Sequence, residues 1–301
     1  MLRATSALFS KASSMSSSLA FKPCKLALVQ LAVTADKSAN LANARAHVLE
    51  AANNGANVIV LPECFNSPYG TSFFREYSES IKDGPSVKAL SEMAKEAKAY
   101  LIGGSIPERD PTNDNIYNTC TVYNPAGEQI AAHRKIHLFD IDVPGKIRFQ
   151  ESETLTAGES LTHVDTEYGK IGVGICYDIR FPEPAMIAAR KGCFAMIYPG
   201  AFNMVTGPLH WELLQRARAV DNQVYVAACS PARDVTAGYH AWGHSTVVAP
   251  TGQVVATMEE NQGIVYADLD PQALNDFRQS VPLYAQRRFD LYADVANTKP
   301  Q

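Results

Sequence analysis

The sequence predicts an α/β fold in which β-sheets pack together and helices lie on their outer sides. The first hundred residues alternate apolar runs typical of strands with segments that have helical spacing. Further along, strand-like runs are joined by short turn sequences, which indicates antiparallel hairpins. The chain has 301 residues and is 46% hydrophobic, so it is large enough to build one extensive core.

The elements follow from these patterns in order. Leu41, Ala44 and Val48 recur at helical spacing, and Pro85 suits the first turn of a second helix. The first half is predicted to contain a strand at 24–33, a helix at 38–56, a strand at 57–63, a helix at 85–99, a strand at 100–106 and a hairpin at 117–135. The second half is predicted to contain a strand at 170–176, a helix at 183–191, a strand at 194–200, a helix at 207–221, a strand at 224–229, a hairpin at 244–257 and a strand at 263–270.

The composition argues against several classes of protein. The formal net charge is −4 and no basic stripe is present, which argues against a nucleic-acid partner. No apolar run approaches the roughly 20 residues of a membrane span. The six cysteines form no Cys-x-x-Cys pair and most lie in apolar runs, which argues against a disulfide framework and favours a reducing compartment.

The N-terminal segment differs from the rest of the chain. Residues 1–22 are rich in serine, carry Arg3, Lys11 and Lys22, and contain no acidic residue. This composition is typical of a mitochondrial transit peptide, with a disordered tail as the alternative. Because Met15 offers a second start, we expect a mitochondrial form, a cytoplasmic form or both. We predict one domain over 23–293, followed by a short tail at 294–301.

Three predicted strands end in a residue that can take part in catalysis. Glu63 follows the strand at 57–63, Lys135 follows the hairpin, and Cys176 follows the strand at 170–176. Loops at strand ends are positioned by a rigid sheet, so such residues are candidates for one site. Taken singly, Glu63 also fits a surface acid, Lys135 a solvated lysine, and Cys176 a small buried hydrophobic residue.

Together these three groups can perform acyl transfer. A thiol needs a base, which a glutamate within hydrogen-bond reach provides. The lysine can stabilise the oxyanion that forms, and the backbone N–H of Tyr177 is a second donor for it. The pKa of Cys176 stays open at this stage, because Lys135 would lower it whereas Glu63 and burial would raise it.

The chain resembles the nitrilase superfamily of carbon–nitrogen hydrolases. The motifs "LPE" (61–63), "RKIHL" (134–138) and "GICYD" (174–178) match the glutamate, lysine and cysteine motifs of that family in its order. The resemblance implies a four-layer α-β-β-α sandwich that is at least dimeric and uses no metal and no organic cofactor. It also implies an amidase that hydrolyses the omega-amides of short keto-dicarboxylates through a cysteine thioester.

The resemblance also assigns roles to single residues. It implies that Glu63 is the base, Cys176 the nucleophile and Lys135 the oxyanion donor. Glu151 in "RFQES" matches a second glutamate of the family, whose expected role is to orient Lys135 or the substrate. The alternative for Glu151 is a loop carboxylate without a catalytic role.

Arg180 suggests what kind of amide binds. It follows Cys176 by four residues, and its guanidinium can bind a distant substrate carboxylate through two hydrogen bonds. The alternative is a structural ion pair with Asp178 or Glu183. Further candidates for the pocket wall, for which core packing is the alternative, are Tyr69, Phe202 and Met204.

Other functions stay open. Two histidine pairs with metal-binding spacing, His133 with His137 and His240 with His244, lie in predicted strand and loop rather than helix, so we predict no metal site. Within the superfamily, a deaminated-glutathione amidase or an N-carbamoyl amine hydrolase is the nearest alternative. A non-catalytic scaffold on the same fold is a third hypothesis, although none of the three motif residues is lost.

Overall fold

Two β-sheets face each other across the centre of the molecule, and helices cover the outer side of each sheet. The computed structural model describes residues 19–144 and 147–297. The first sheet has the order β15-β1-β2-β3-β5-β4, with β6 paired to β5. The second has the order β14-β13-β12-β11-β10-β9, and β7 and β8 form a separate hairpin. This is the α-β-β-α sandwich that the family resemblance implies.

The elements have the following bounds. The strands are β1 Cys24–Gln30, β2 Val58–Val60, β3 Tyr100–Ile102, β4 Ile106–Arg109, β5 Ile116–Tyr123, β6 Gln129–Arg134, β7 Asp140–Val143, β8 Ile147–Gln150, β9 Thr162–Thr166, β10 Gly169–Val173, β11 Cys193–Pro199, β12 Tyr225–Cys229, β13 Thr246–Val248, β14 Val254–Thr257 and β15 Gly263–Leu269. The helices are α1 Lys37–Asn53, α2 Thr71–Tyr77, α3 Pro85–Ala97, α4 Pro182–Arg190, α5 Thr206–Asn222, α6 Pro271–Ser280 and α7 Leu283–Gln286. Two short 3₁₀ helices span Glu151–Glu153 and Cys176–Arg180.

The side chains of the central strands alternate between two hydrophobic core layers, one on each face of the sheet. In β1, Leu26 and Leu28 belong to the core between the sheets, whereas Ala27 and Val29 pack with Val48 of α1. Successive side chains of a strand point to opposite faces, so one strand serves both layers. The adjacent strands β1, β2 and β3 are parallel, as are β10, β11 and β12. Strands buried on both faces read as continuous apolar runs, which is why the sequence reveals them.

Every predicted helix, strand and hairpin is present, with ends shifted by a few residues. Both predicted hairpins pair in antiparallel fashion, β5 with β6 and β13 with β14. The sequence patterns did not reveal the short or weakly patterned elements, which are α2, β4, β7, β8, β9, α6 and α7.

Both ends of the described chain pack on the domain. The ring of Phe21 stacks on Phe194 with centroids 4.2 Å apart, although residues 1–22 were expected to lie outside the fold. At the other end, Arg190 pairs with Asp294 at 2.6 Å. The transit-peptide prediction concerns mainly residues 1–18, which lie outside the described residues, as do residues 298–301. In the part of the chain that is described, no helix combines the length and the apolar character needed to cross a membrane.

Candidate active site

Glu63, Lys135 and Cys176 meet at one end of the sandwich. Glu63 lies shortly after β2 and Lys135 directly after β6, both in the first sheet. Cys176 follows β10 of the second sheet. Lys135 Nζ lies 3.1 Å from Glu63 Oε1, and electrostatic interaction with both charged groups contributes to the pKa of Cys176. The structure therefore brings together the three residues that the motifs single out.

Glu63 is fully buried and its carboxylate is only partly bonded. Its Oε1 accepts hydrogen bonds from Asn118 Nδ2 at 2.8 Å and from Lys135 Nζ at 3.1 Å. Its Oε2 is buried without a hydrogen bond of ordinary length. The loop depends on Gly104, where an added Cβ would lie 2.2 Å from the carbonyl oxygen of Pro62. Oε2 is thus the oxygen that remains available to accept a proton.

Lys135 lies between two buried carboxylates. Besides Glu63, its Nζ donates to Glu151 Oε1 at 2.9 Å. Burial disfavours the charged ammonium, but the charges of Glu151 and Glu63 outweigh burial and raise the pKa of Lys135 well above its usual range. The lysine is therefore protonated at neutral pH.

Glu151 is itself held by other groups. Its Oε1 accepts from Tyr69 OH at 2.7 Å and its Oε2 from the backbone N–H of Phe139 at 2.7 Å. Glu151 is completely buried and bonded to the lysine, the position that its predicted role in orienting Lys135 requires. Tyr69 thus acts on Glu151 as well as lining the cleft.

Cys176 begins a 3₁₀ turn with its backbone in the left-handed region, at φ 45°. This conformation costs a non-glycine residue roughly 1–3 kcal/mol, and such strain is concentrated at functional sites. The sulfur accepts a hydrogen bond from the backbone N–H of Ala201 at 3.4 Å. Tyr177 occupies the next position, where the first N–H groups of a turn have no partner within it. The backbone N–H of Tyr177 therefore makes no hydrogen bond within this turn.

The resting protonation state follows from burial and charge. Burial, and then the charge of Glu63, raises the pKa of the Cys176 thiol well above its usual range, and Lys135 only partly opposes them. Burial also raises the pKa of Glu63, while the charge of Lys135 lowers it. Two adjacent negative charges are disfavoured in a buried site, which favours a neutral thiol beside an ionised carboxylate.

Arg180 lies in the same cleft as Cys176. Its guanidinium carbon is 4.7 Å from the ring centroid of Phe202, and its NH1 lies 3.2 Å from His210 Nδ1. Within the described residues, no carboxylate pairs with this guanidinium, so the expected alternative of an ion pair with Asp178 or Glu183 is wrong. The residues that line the cleft are Tyr69, Phe139, Cys176, Tyr177, Arg180, Ala201, Phe202, Asn203, Thr206 and Tyr239.

Met204 differs from the other predicted wall residues. It is 39% exposed and lines a neighbouring, outer cavity with Phe149 and Val205 rather than the cleft of Cys176. Its side chain follows a turn that carries Phe202 inward and therefore points toward solvent. The structure does not place Met204 beside the nucleophile.

Sequence reasoning missed two contributors to the site. Asn118 is a buried amide within the apolar strand β5, a local signal that could have marked it. Tyr239 comes from the loop after β12; its hydroxyl donates to the backbone oxygen of Ala201 and its ring lies 4.5 Å from that of Tyr69. No local pattern distinguishes Tyr239, because its role depends on the packing of the distant loop.

The histidines do not converge on a metal position. Both rings of the first pair, His133 and His137, contact the carboxylate of Asp178. Among the described residues, one group has the geometry to hold a cation, namely His244, Glu259 and Glu260. Glu259 is 83% exposed, and exposed clusters of this kind are common without an ion. The group contains none of the cleft residues and carries no metal assignment.

A two-sheet α/β sandwich that buries a glutamate, a lysine and a cysteine at one strand-end cleft has the architecture of an acyl-transfer enzyme of the nitrilase type. The chain belongs to the carbon–nitrogen hydrolase family, whose family model matches residues 25–279. It is therefore an amidase of the nitrilase superfamily.

Named relatives and a solved structure agree with this family. The chain is 61% identical to omega-amidase NIT2 of Danio rerio over 269 residues, which cover 89% of this chain and 96% of the relative. It is 57% identical to omega-amidase NIT3 of Saccharomyces cerevisiae over 277 residues, covering 90% and 95%. The crystal structure of Saccharomyces cerevisiae Nit3, described as a member of branch 10 of the nitrilase superfamily, superposes with a TM-score of 0.83 at 53% identity, covering 90% of this chain and 98% of Nit3.

Proposed function

We propose that this protein is an omega-amidase that hydrolyses alpha-ketoglutaramate and alpha-ketosuccinamate to the keto-dicarboxylic acid and ammonia. The observation that carries the proposal is the position of Arg180, a guanidinium without a carboxylate partner among the described residues, in the cleft of Cys176. The relatives named omega-amidase, at about 60% identity over nearly the whole chain, support the same activity.

The acylation step uses the free oxygen of Glu63. As Cys176 Sγ attacks the amide carbonyl, the thiol proton passes to Glu63 Oε2 and the carbonyl oxygen becomes an oxyanion. Lys135 Nζ and the N–H of Tyr177 donate to that oxyanion, and one such donor is typically worth about 10²–10³ in rate. The proton on Glu63 then moves to the departing nitrogen, so ammonia leaves and a thioester remains.

The deacylation step returns the enzyme to its resting state. Glu63 also lines a cavity of about 380 Å³ that shares Tyr69 and Tyr239 with the cleft of Arg180. This space is large enough for several water molecules, since one occupies about 30 Å³ in the liquid. Glu63 takes a proton from such a water as the water attacks the thioester. As the carbon–sulfur bond breaks, Glu63 returns this proton to the departing sulfur, so the carboxylic acid is released and the Cys176 thiol is restored.

Substrate selection depends on the distance between the two ends of the ligand. The amide carbon lies at the sulfur while the distal carboxylate accepts two hydrogen bonds from Arg180. Phe202 lies beneath the guanidinium, and Tyr69 and Tyr239 limit the width of the cleft. The ligand is therefore a short dicarboxylate monoamide rather than a neutral amide.

The test is an ammonia-release assay over a panel of amides with wild type and Arg180→Gln. The panel contains alpha-ketoglutaramate, alpha-ketosuccinamate, a neutral short amide, a deaminated-glutathione amide and an N-carbamoyl amine. We expect Arg180→Gln to raise KM for the two keto-dicarboxylate amides by about 10–100-fold, as loss of a charge-assisted contact of about 1.5–3 kcal/mol implies. The exposed Arg216→Gln is the matched control. An equal effect on the neutral amide, or preferred hydrolysis of another panel member, refutes the assignment.

We further propose that the protein is a homodimer and that the outer face of α5 forms the interface. Leu209 and Leu213 lie one turn apart on α5 and are each 61% exposed, which leaves apolar surface uncovered on a helix that begins beside the cleft. A second copy covering this face is consistent with the dimer that the resemblance implies. We expect light scattering to show a dimer for wild type and a monomer for Leu209→Lys/Leu213→Lys, with Leu291→Lys as control. A monomeric wild type refutes this arrangement.

We propose a mitochondrial form, a cytoplasmic form or both. The support is the composition of residues 1–22 and the second start at Met15. Imaging of tagged protein with and without residues 1–14 tests this. We expect loss of any mitochondrial signal on truncation, and an unchanged distribution contradicts the targeting role.

A further inference from the structure

The carboxylate of Asp178 joins the two loops that carry the nucleophile and the lysine. Asp178 lies two residues after Cys176 and is buried, with its side chain 1% exposed. Its Oδ2 accepts from the backbone N–H of Ile175 at 2.8 Å, directly before the nucleophile. The same carboxylate also contacts His133 and His137, which lie two residues before and two residues after Lys135.

The histidine contacts are specific in geometry. His133 Nε2 lies 3.1 Å from Asp178 Oδ2, and its Nδ1 lies 3.0 Å from Thr162 Oγ1. His137 Nδ1 and its backbone N–H each lie 2.9 Å from Asp178 Oδ1. An ionised carboxylate is acceptor-only, so His133 donates through Nε2 and His137 donates through Nδ1. Asp178 therefore accepts four hydrogen bonds, one from the cysteine loop and three from residues that flank the lysine.

These bonds also determine the charge state of Asp178. Burial alone would raise its pKa, but the hydrogen bonds from His133 and His137 outweigh burial and lower the pKa to about 2. The carboxylate is therefore ionised throughout the neutral range, and each of its oxygens keeps its acceptor role.

We propose that Asp178 is a positioning residue that sets the separation of the Cys176 sulfur from the Lys135 ammonium, with His133 and His137 as its donors. This inference rests on the proposed roles of Cys176 and Lys135. The nucleophile turn belongs to the second sheet, whereas Lys135 follows β6 of the first, so no backbone pairing of either sheet sets their distance. The Asp178 bonds span that junction.

The expected cost of losing this link comes from the precision that catalysis requires. A displacement of about 1 Å between reacting groups can lower the rate about 100-fold. In Asp178→Asn, the amide nitrogen faces either Ile175 and His133 or the two N–H groups of His137. Either orientation sets the amide nitrogen against a backbone N–H, that of Ile175 or that of His137, and so breaks that contact. Arg180 lies outside these bonds, so substrate binding is affected much less than kcat.

The test compares matched variants by steady-state kinetics on whichever panel amide the wild type hydrolyses. Asp178→Asn and His133→Leu are expected to lower kcat about 100-fold with KM within about threefold of wild type. His133→Gln places a donor nitrogen where Nε2 lies, so it is expected to recover kcat to within about fivefold of wild type. The exposed Asp165→Asn, on β9 of the same sheet, serves as the control for an aspartate change.

The outcomes separate positioning from general packing. If His133→Gln loses as much activity as His133→Leu, or if Asp178→Asn keeps kcat within twofold of wild type, the proposal is overturned. If Asp178→Asn fails to fold, the histidine pair of variants decides alone. Because any hydrolysed amide serves as substrate, a wrong proposed substrate changes the panel result but leaves this comparison intact.

Discussion

Replacing Lys135 by methionine tests the charge balance on which the site depends. Methionine keeps the length and packing of the side chain but removes the only cation bonded to Glu63 and Glu151 in the described site. The two carboxylate oxygens lie 3.1 Å and 2.9 Å from Nζ, and all three side chains are fully buried. Without the ammonium, two buried carboxylates face the same space with nothing to compensate them.

The expected loss of folding stability has a part that is independent of pH and a part that depends on pH. Removing one partner of a buried ion pair costs about 3–5 kcal/mol of folding stability. Burial already raises the pKa of Glu63, and Lys135 is the main group that opposes it, so the substitution raises this pKa further. The folded protein then binds one proton more than the unfolded chain at pH values above the ordinary glutamate pKa. Stability therefore falls by about 1.4 kcal/mol per pH unit as pH rises toward the folded pKa.

The measurement is denaturant unfolding at several pH values from 5.5 to 8, with ammonia release in parallel. Lys135→Met is expected to lose progressively more stability relative to wild type as pH increases, and at least about 10²-fold in kcat. Lys88→Met, at an exposed position of α3, should follow the wild-type pH dependence. A stability loss that is the same at pH 5.5 and pH 8 would refute the reasoning, because it would show that the paired carboxylates do not take up a proton.

Three further predictions follow from the same geometry. Glu63 must be ionised to act as a base, and burial raises its pKa. We therefore expect kcat/KM to rise with pH around a midpoint above the ordinary glutamate pKa and to stay level through pH 9, because Lys135 remains protonated there. A midpoint at or below pH 4.5 contradicts this expectation. Gly200→Ala places a methyl group 3.3 Å from Cys176 Cα and 3.3 Å from the Trp211 ring, so kcat should fall about tenfold, whereas Gly238→Ala meets nothing within 4 Å and should be neutral. Iodoacetamide should react with Cys176 before the other buried cysteines, as peptide mass spectrometry can show, and much more slowly than with a free thiol; alkylation elsewhere first would contradict the placement of its sulfur in the cleft.

The layers of the fold could be predicted from sequence because its central strands and main helices carry strong patterns. The β-α-β-α-β order and both hairpins are recovered in the structure. The β7–β8 hairpin was not predicted, because "DIDV" and "IRFQ" are too short and too polar to stand out as strands, although the Pro144-Gly145 pair between them is a turn signal. Its position nonetheless matters, since β8 leads directly into Glu151.

The sequence could predict the main residues of the site, but it could not predict the hydrogen bonds and ion pairs among them. Glu63 and Lys135 are 72 residues apart, so only the pairing of strands explains why they lie 3.1 Å apart. The histidines show the limit of spacing arguments. His133 and His137 have the separation of metal ligands, and the structure directs both to Asp178, a residue that the sequence offered only as an ion-pair partner for Arg180.

The buried charges explain why the Cys176 thiol is neutral in the resting enzyme. Glu63, Lys135 and Glu151 together carry one net negative charge, and all three side chains are fully buried. A thiolate at Cys176 would add a second negative charge in the same low-dielectric space, which is why the pKa of the thiol is raised despite the nearby ammonium. The proton can therefore leave only as the sulfur forms its bond and negative charge moves to the carbonyl oxygen, beside Lys135. Reactivity is thus coupled to a carbonyl placed in the cleft, and in the proposed function Arg180 would place it there by binding the other end of the substrate.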